Sequence, residues 1–130
     1  MTRALDTNVL VRVITHDDPV QSPIAERALC QPSFISLSVL METVWLMTSR
    51  YHMSRTVAAA AMLQILDVST VSCEQEPLAR WALAQFAKGA AIADMIHLIS
   101  ARHQTSFATF DRDMIRQAGA DCPVQIEILT

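Results

Sequence analysis

The sequence of 130 residues is poor in glycine, cysteine and lysine, and each shortage excludes a class of protein. Its two glycines, Gly89 and Gly119, cannot form a glycine-rich phosphate loop, which excludes a P-loop and a dinucleotide-binding fingerprint. Its three cysteines are far apart, so no C-x-x-C pair is present for a zinc ribbon or a thioredoxin-type site. An odd number of scattered cysteines indicates reduced thiols and a reducing compartment.

Long hydrophobic runs are missing as well. The longest uninterrupted apolar run covers residues 57–63, far below the ~20 residues that a membrane-spanning helix needs. Asp6 and Arg12 interrupt the N-terminal apolar stretch, which argues against a signal peptide. We therefore expect a cytoplasmic protein without a membrane segment.

The residues that are present indicate one folded domain over residues 1–130. Hydrophobic residues make up 52% of the chain and charged residues 18%, which excludes a disordered protein. The net charge is −3, yet all basic residues except Lys88 are arginines, which suit bidentate contact with phosphates. If four of the 13 acids share one site, the rest of the surface is weakly basic, which is compatible with a polyanionic substrate.

Short apolar runs alternate with longer helical stretches along the chain. Predicted strands cover residues 3–6, 33–37, 68–73, 106–110 and 124–129. Predicted helices cover residues 9–15, 22–30 (with Ser22 as its N-cap), 38–52, 54–67, 77–88, 92–104 and 111–118. Strands separated by helices favour a parallel α/β sheet with helices on both faces.

Four acids lie at positions where an acid is unusual. Asp6 ends the first predicted strand and Asp111 follows the fourth, so we expect both at one edge of a parallel sheet, where α/β proteins bind ligands. Glu42 lies in a helix that is apolar on almost every side, where we expect a buried carboxylate that Ser38, one turn earlier, can hydrogen-bond. Asp94 lies near the start of another apolar helix.

Each acid also has an interpretation without catalysis. The two aspartates that follow strands would cap the next helices. The helix dipole favours an acid in the first turn of a helix, which is sufficient to explain the position of Asp94. Glu42 would form a buried ion pair with Arg50 or Arg102.

Taken together, the four acids indicate a site for a divalent metal ion. Crowded carboxylates repel one another, and a Mg²⁺ or Mn²⁺ ion, which prefers oxygen ligands, relieves the repulsion. Such an ion can polarise a phosphodiester and activate water. A magnesium phosphatase of the haloacid dehalogenase class is excluded, because Asp6 is followed by Thr7 and Asn8 and the second aspartate of that motif is missing.

Four segments, in the correct order, resemble the motifs of the PIN domain family, and within it the VapC toxins of bacterial type II toxin–antitoxin modules. The segments are Leu5-Asp6-Thr7-Asn8-Val9-Leu10, Ser38-Val39-Leu40-Met41-Glu42, Ala93-Asp94-Met95-Ile96-His97 and Thr109-Phe110-Asp111-Arg112-Asp113. The resemblance implies a three-layer α/β/α, PIN-like (FEN/RNase H-like) fold with a five-stranded, mostly parallel central sheet. It also implies an endoribonuclease that uses Mg²⁺ or Mn²⁺, forms a homodimer and is inhibited by a cognate VapB-like antitoxin.

The resemblance also assigns roles to individual residues. The family's acids carry over to Asp6, Glu42, Asp94 and Asp111, with Asp113 as a further candidate ligand. Residues expected to orient these acids or the substrate are Thr7, Asn8, Ser38 and Thr109. Arginines expected to guide RNA phosphates are Arg112, Arg116 and Arg102. The alternative function is a catalytically weak PIN-like module that binds RNA or a protein.

Overall fold

The computed structural model describes all 130 residues and contains five short strands and seven helices. The strands are β1 (Arg3–Ala4), β2 (Ser33–Ile35), β3 (Val71–Cys73), β4 (Phe107–Thr109) and β5 (Ile126–Ile128). The helices are α1 (Thr7–Thr15), α2 (Gln21–Leu29), α3 (Leu37–Ser49), α4 (Arg55–Leu66), α5 (Glu76–Ala87), α6 (Ile92–Ser100) and α7 (Met114–Ala118). Every predicted helix and strand is present, with shorter strands than predicted. No helix has the length and hydropathy that would let it cross a membrane.

The strands form two parallel sheets, so the prediction of one five-stranded sheet is wrong. The larger sheet has the order β1-β2-β3, with Arg3 opposite Ser33 and Ser33 opposite Val71. The smaller sheet pairs β4 with β5, with Phe107 opposite Ile126. Because β1 has two residues and pairs only with β2, it forms no ladder with β4 that would join the two sheets.

One continuous cluster of 28 buried hydrophobic residues forms the core. Helix α3 lies at its centre, in contact with α1, α4 and α6. Leu40, Val44 and Met47 of α3 recur at helical spacing and are completely buried. Each such side chain contributes about 1.5–3 kcal/mol on burial, so this face of α3 holds the helix in a defined orientation.

Caps determine where the helices near the candidate site begin. Ser36 begins α3, since its hydroxyl accepts a hydrogen bond from the Val39 amide at 3.3 Å. Helix α2 begins differently from the prediction: Asp18, and not Ser22, accepts bonds from the first amides of the helix, including that of Gln21 at 2.8 Å. The carboxylate of Asp18 can accept two amides at once, which the buried Ser22 hydroxyl does not do.

The turn between α5 and α6 positions Asp94. Gly89, with φ of +121°, follows α5 as predicted, and its amide donates to the Phe86 carbonyl at 3.0 Å. The next amide, of Ala90, donates to the Gln85 carbonyl at 3.0 Å, which completes a Schellman motif. Helix α6 then starts within two residues, so the geometry of this turn determines where its first turn lies.

Candidate active site

Thr7 connects two of the predicted acids. Asp6 follows β1 and is the N-cap of α1, since its Oδ1 accepts a hydrogen bond from the Thr7 amide at 2.8 Å. The Thr7 side chain is buried, and its hydroxyl donates a hydrogen bond to Oε1 of Glu42 on α3. The end of β1 and the middle of α3 are thus joined through one threonine, with a carboxylate on each side of it.

The capping role of Asp6 leaves part of its carboxylate available. Only Oδ1 of Asp6 accepts a hydrogen bond, and the side chain is exposed. The capping interpretation is confirmed, but it does not use Oδ2. The same carboxylate can therefore cap α1 and contribute an oxygen to a metal ion or to a water molecule.

Glu42 is exposed, so the prediction of a buried carboxylate is wrong. Helix α3 is not apolar on all sides, because one face is exposed to solvent. This exposed face consists of Ser38, Glu42, Trp45 and Ser49. The predicted hydrogen bond between Ser38 and Glu42 is also absent: the Ser38 hydroxyl is 3.1 Å from that of Ser36, and Glu42 is bonded by Thr7 instead.

Asp94 lies in the first turn of α6, which packs against α3. No side chain caps this helix, so a carboxylate in its first turn interacts favourably with the unpaired amides there. Ala93, the preceding residue, lines a groove of about 220 Å³ together with Glu42. The start of α6 is therefore next to the α3 face that carries Glu42.

Asp111 lies in the loop between β4 and α7. Its amide donates to the Thr109 hydroxyl at 3.1 Å, and its Oδ1 accepts from the Asp113 amide at 2.9 Å. These bonds form a turn, so α7 begins at Met114, three residues later than predicted. Because β4 belongs to the smaller sheet, Asp6 and Asp111 do not lie at one edge of a single sheet, and that expectation is wrong.

Asp113 differs from the other candidate ligands because a guanidinium group binds it. Arg116 Nε and Nη2 donate to its two oxygens, each at 2.6 Å, and Gln117 adds a bond at 3.0 Å. These bonds, chiefly those from Arg116, lower the pKa of Asp113 to about 2. Both of its oxygens are engaged, and the charge of Arg116 is neutralised.

The four main candidate acids form no ion pair. The four arginine ion pairs use other acids, Asp17, Asp67, Glu76 and Asp113, and His16 contacts Glu26. The alternative of an ion pair between Glu42 and Arg50 or Arg102 is therefore wrong. Carboxylates without a cationic partner are available to a metal ion or to a substrate.

The donor atoms suit a hard divalent cation, although no ready-made cluster is present. No three His, Cys, Asp or Glu side chains are close enough together to hold a metal ion. Mg²⁺, however, is commonly held by one or two carboxylates, with water and substrate phosphates as the remaining ligands. Asp6 and Glu42, on the two sides of Thr7, are sufficient for a Mg²⁺ ion held by two carboxylates.

The remaining predicted residues occupy different environments. Asn8 lines a groove of about 350 Å³ between α1 and α2. Arg102 is half-buried and donates through Nη1 to the Ile99 carbonyl at 2.9 Å, at the end of α6. Arg112 is exposed, and its side chain forms no hydrogen bond or ion pair. Of the three predicted RNA-guiding arginines, Arg112 alone is unengaged.

The sequence interpretation gave no functional role to two exposed residues of the α3 region, Trp45 and Arg50. Trp45 is 60% exposed and lines the same groove as Glu42. Arg50 ends α3, is exposed and has no acidic partner. The position of Trp45, three residues after Glu42, was a signal that both lie on one helical face.

The fold and the site together define an α/β domain with parallel strands and a set of unpaired acids after strands and on helices. Comparison with known proteins identifies the family to which this domain belongs. The family model described as PIN domain matches residues 3–120, a range that includes all four motif segments, and the chain belongs to the PIN domain family. No curated protein matches the chain. PIN domains are typically metal-dependent nucleases.

Proposed function

We propose that the protein is an endoribonuclease of the VapC type that hydrolyses RNA phosphodiester bonds with Mg²⁺ or Mn²⁺. The observation that carries the proposal is the pair Asp6 and Glu42, held on two sides of the buried Thr7 and free of any cationic partner. Asp94, in the first turn of the adjacent helix, adds a third unpaired carboxylate. Membership of the PIN domain family supports the same chemistry.

The carboxylates and Thr7 would have different roles in this reaction. Asp6 and Glu42 would hold the ion, and Asp94 and Asp111 would act on its bound water or on the substrate. Thr7 would keep two of these acids in position. The ion, when bound, would polarise the phosphodiester and activate the attacking water.

Substrate phosphates need cationic groups that are not already paired. Arg112 meets this condition and directly follows Asp111. Arg116 is bound to Asp113, and Arg102 is bound to a backbone carbonyl. We therefore rank Arg112 first among the three arginines for guiding RNA.

Replacement of single carboxylates tests the proposal. Asp6→Asn and Asp94→Asn keep side-chain size and remove the charge, and we expect RNA cleavage to fall at least about 100-fold, since a metal ion contributes several kcal/mol to such reactions. Cleavage of a labelled oligoribonucleotide, with Mg²⁺ or with a chelator, provides the measurement. Asp121→Asn is the matched control, because Asp121 is exposed and forms no side-chain hydrogen bond or ion pair. An Asp94→Asn protein that cleaves at the wild-type rate contradicts the proposal.

The toxin role adds two partners to the proposal. We propose a cytoplasmic homodimer formed through α3 and α4, inhibited by a VapB-like antitoxin that covers the acids. Val57 of α4, which is 55% exposed, supports a covered surface on the α4 side of this interface. Light scattering tests the dimer, since a single species of 14.4 kDa contradicts it. Growth arrest on expression, relieved by the product of an adjacent small reading frame, tests the toxin role.

A binding module without turnover is the second candidate. The absence of any group of three metal-ligating side chains favours it. Titration calorimetry with Mg²⁺ and Mn²⁺ separates the two candidates. No heat of binding near millimolar metal supports the binding module, whereas binding that is lost in Asp6→Asn supports the nuclease.

A further inference from the structure

Trp45 is exposed to an unusual degree for its size. Its side chain is 60% exposed, although burial of an aromatic ring is among the largest hydrophobic gains available to a folded chain. The residue lies one helical turn after Glu42, on the exposed face of α3. A large aromatic side chain kept in solvent one turn from the unpaired Glu42 is available to contact a ligand.

Two grooves meet at Trp45. The first, of about 220 Å³, has walls formed by Met41 and Trp45, with Glu42 as its charged member and Ile92 and Ala93 from the start of α6. The walls of this groove are apolar, which suits an organic group. Glu42 contributes its aliphatic atoms, and its carboxylate, one of the two that flank Thr7, lies beside the groove.

The second groove shares Trp45 with the first groove and none of its other lining residues. It has a volume of about 490 Å³ and is lined by Trp45, Leu46, Ser49 and Arg50. The guanidinium of Arg50 has no carboxylate partner, so its charge is available. Trp45 thus separates an unpaired carboxylate from an unpaired guanidinium.

This arrangement fits a nucleotide chain better than a protein surface. An unpaired base stacks on an exposed aromatic ring, and the phosphate next to it is bound by a cationic side chain. Here Glu42 lies one turn before Trp45, and Arg50 lines a groove that Trp45 also lines. A folded protein partner would use the aromatic ring but would not require this separation of charges.

We propose that Trp45 is a stacking platform for an unpaired base of the RNA substrate, with Arg50 contacting a neighbouring phosphate. The inference rests on the proposed nuclease function and deepens it, since it assigns base recognition to the α3 face beside Glu42. Trp45 is a specificity-determining residue in this arrangement, and the carboxylates carry the chemistry.

Fluorescence of Trp45 provides a test that does not depend on cleavage. Trp81→Phe leaves Trp45 as the single tryptophan, and it breaks no hydrogen bond because the buried Nε1 of Trp81 has no partner. Asp94→Asn in the same chain prevents turnover. We expect a single-stranded oligoribonucleotide to quench Trp45, and the same strand in a duplex to quench it much less. Absence of quenching with an oligoribonucleotide that binds overturns the inference.

Two substitutions separate stacking from simple apolar contact. We expect Trp45→Leu to weaken RNA binding about 5- to 140-fold, the fold-change that corresponds to loss of one base–aromatic stack. Trp45→Phe should retain most of the affinity. Val20→Ala, at another exposed hydrophobic position that lines neither groove, should bind as wild type. Equal affinities of the Leu and wild-type proteins overturn the inference.

The outcomes distinguish this inference from the proposed function. If RNA binds and quenches Trp45 but wild-type protein never cleaves it, the inference is supported and the nuclease proposal fails. If wild-type protein cleaves RNA and Trp45→Leu leaves KM unchanged, the inference fails and the nuclease proposal stands. If Trp45→Leu converts a dimer to a monomer without changing RNA affinity, Trp45 is a contact between copies of the chain, and the inference is overturned.

Discussion

Replacing Thr7 by valine would remove the hydroxyl that joins α1 to Glu42 while keeping the shape of the side chain. Thr7 is 4% exposed, and its hydroxyl donates to a carboxylate. Hydrogen bonds to charged groups contribute about 1.5–3 kcal/mol. Because Glu42 is exposed, water replaces the lost donor, and we expect the free energy of unfolding to fall by about 1.5 kcal/mol, the low end of that range.

Urea unfolding measures this change. For a slope near 1.5 kcal/mol per molar urea, a loss of about 1.5 kcal/mol lowers the midpoint by about 1 M. Thr7→Ser is the matched control, since it keeps the hydroxyl and removes one buried methyl group, at a cost of about 0.8 kcal/mol.

The same pair of variants tests the metal site. Residues that hold metal ligands in position commonly change metal affinity about 10- to 100-fold when replaced, so we expect Thr7→Val to raise the Mg²⁺ concentration for half-maximal cleavage by that factor. Thr7→Ser should change it far less. A valine variant with wild-type urea midpoint and Mg²⁺ dependence would refute the argument that Thr7 organises Asp6 and Glu42.

Three further predictions concern other parts of the molecule. Arg116 lowers the pKa of Asp113 to about 2. The charged carboxylate therefore stabilises the fold above its ordinary pKa of 3.8, and this stabilisation is lost as the pH falls through about 2. We expect Asp113→Asn to remove this pH-dependent stabilisation from acid unfolding curves between pH 4 and 2. Gly119 has φ of +76° and ψ of −171°, a region almost restricted to glycine, so Gly119→Ala should lower stability by about 1–3 kcal/mol in thermal unfolding. Burial raises the pKa of the Cys73 thiol to about 11, so only about one Cys73 thiol in a thousand is ionised at pH 8. We expect iodoacetamide to label the exposed Cys30 before Cys73, as followed by mass spectrometry.

Each of these predictions has an outcome that contradicts it. An Asp113→Asn protein with the wild-type acid transition would show that the pair with Arg116 has no influence on stability. An unchanged melting temperature in Gly119→Ala would mean that the backbone relaxes at no cost. Equal labelling rates for Cys73 and Cys30 would mean that the thiol of Cys73 reaches solvent in the native state.

The helices and strands could be predicted because their signals are local. Ser54 begins α4 and Gly89 follows α5 as expected, since a cap requires only a side chain and the amides or carbonyls of its own turn. The start of α2 was misplaced, because Asp18 competes successfully with Ser22 for the first amides. Strand lengths and the division into two sheets depend on pairing between distant segments, which periodicity does not report.

The sequence by itself determined the order of the elements, the family to which the chain belongs and the identity of the unusual acids, because these depend on residue types and on spacing along the chain. Only the tertiary structure decided that Glu42 is exposed and bonded to Thr7, and that its neighbour Trp45 is left in solvent. The physical reason is that solvent exposure and side-chain partners depend on which helices and strands pack against each other, and this packing exists only in the folded chain.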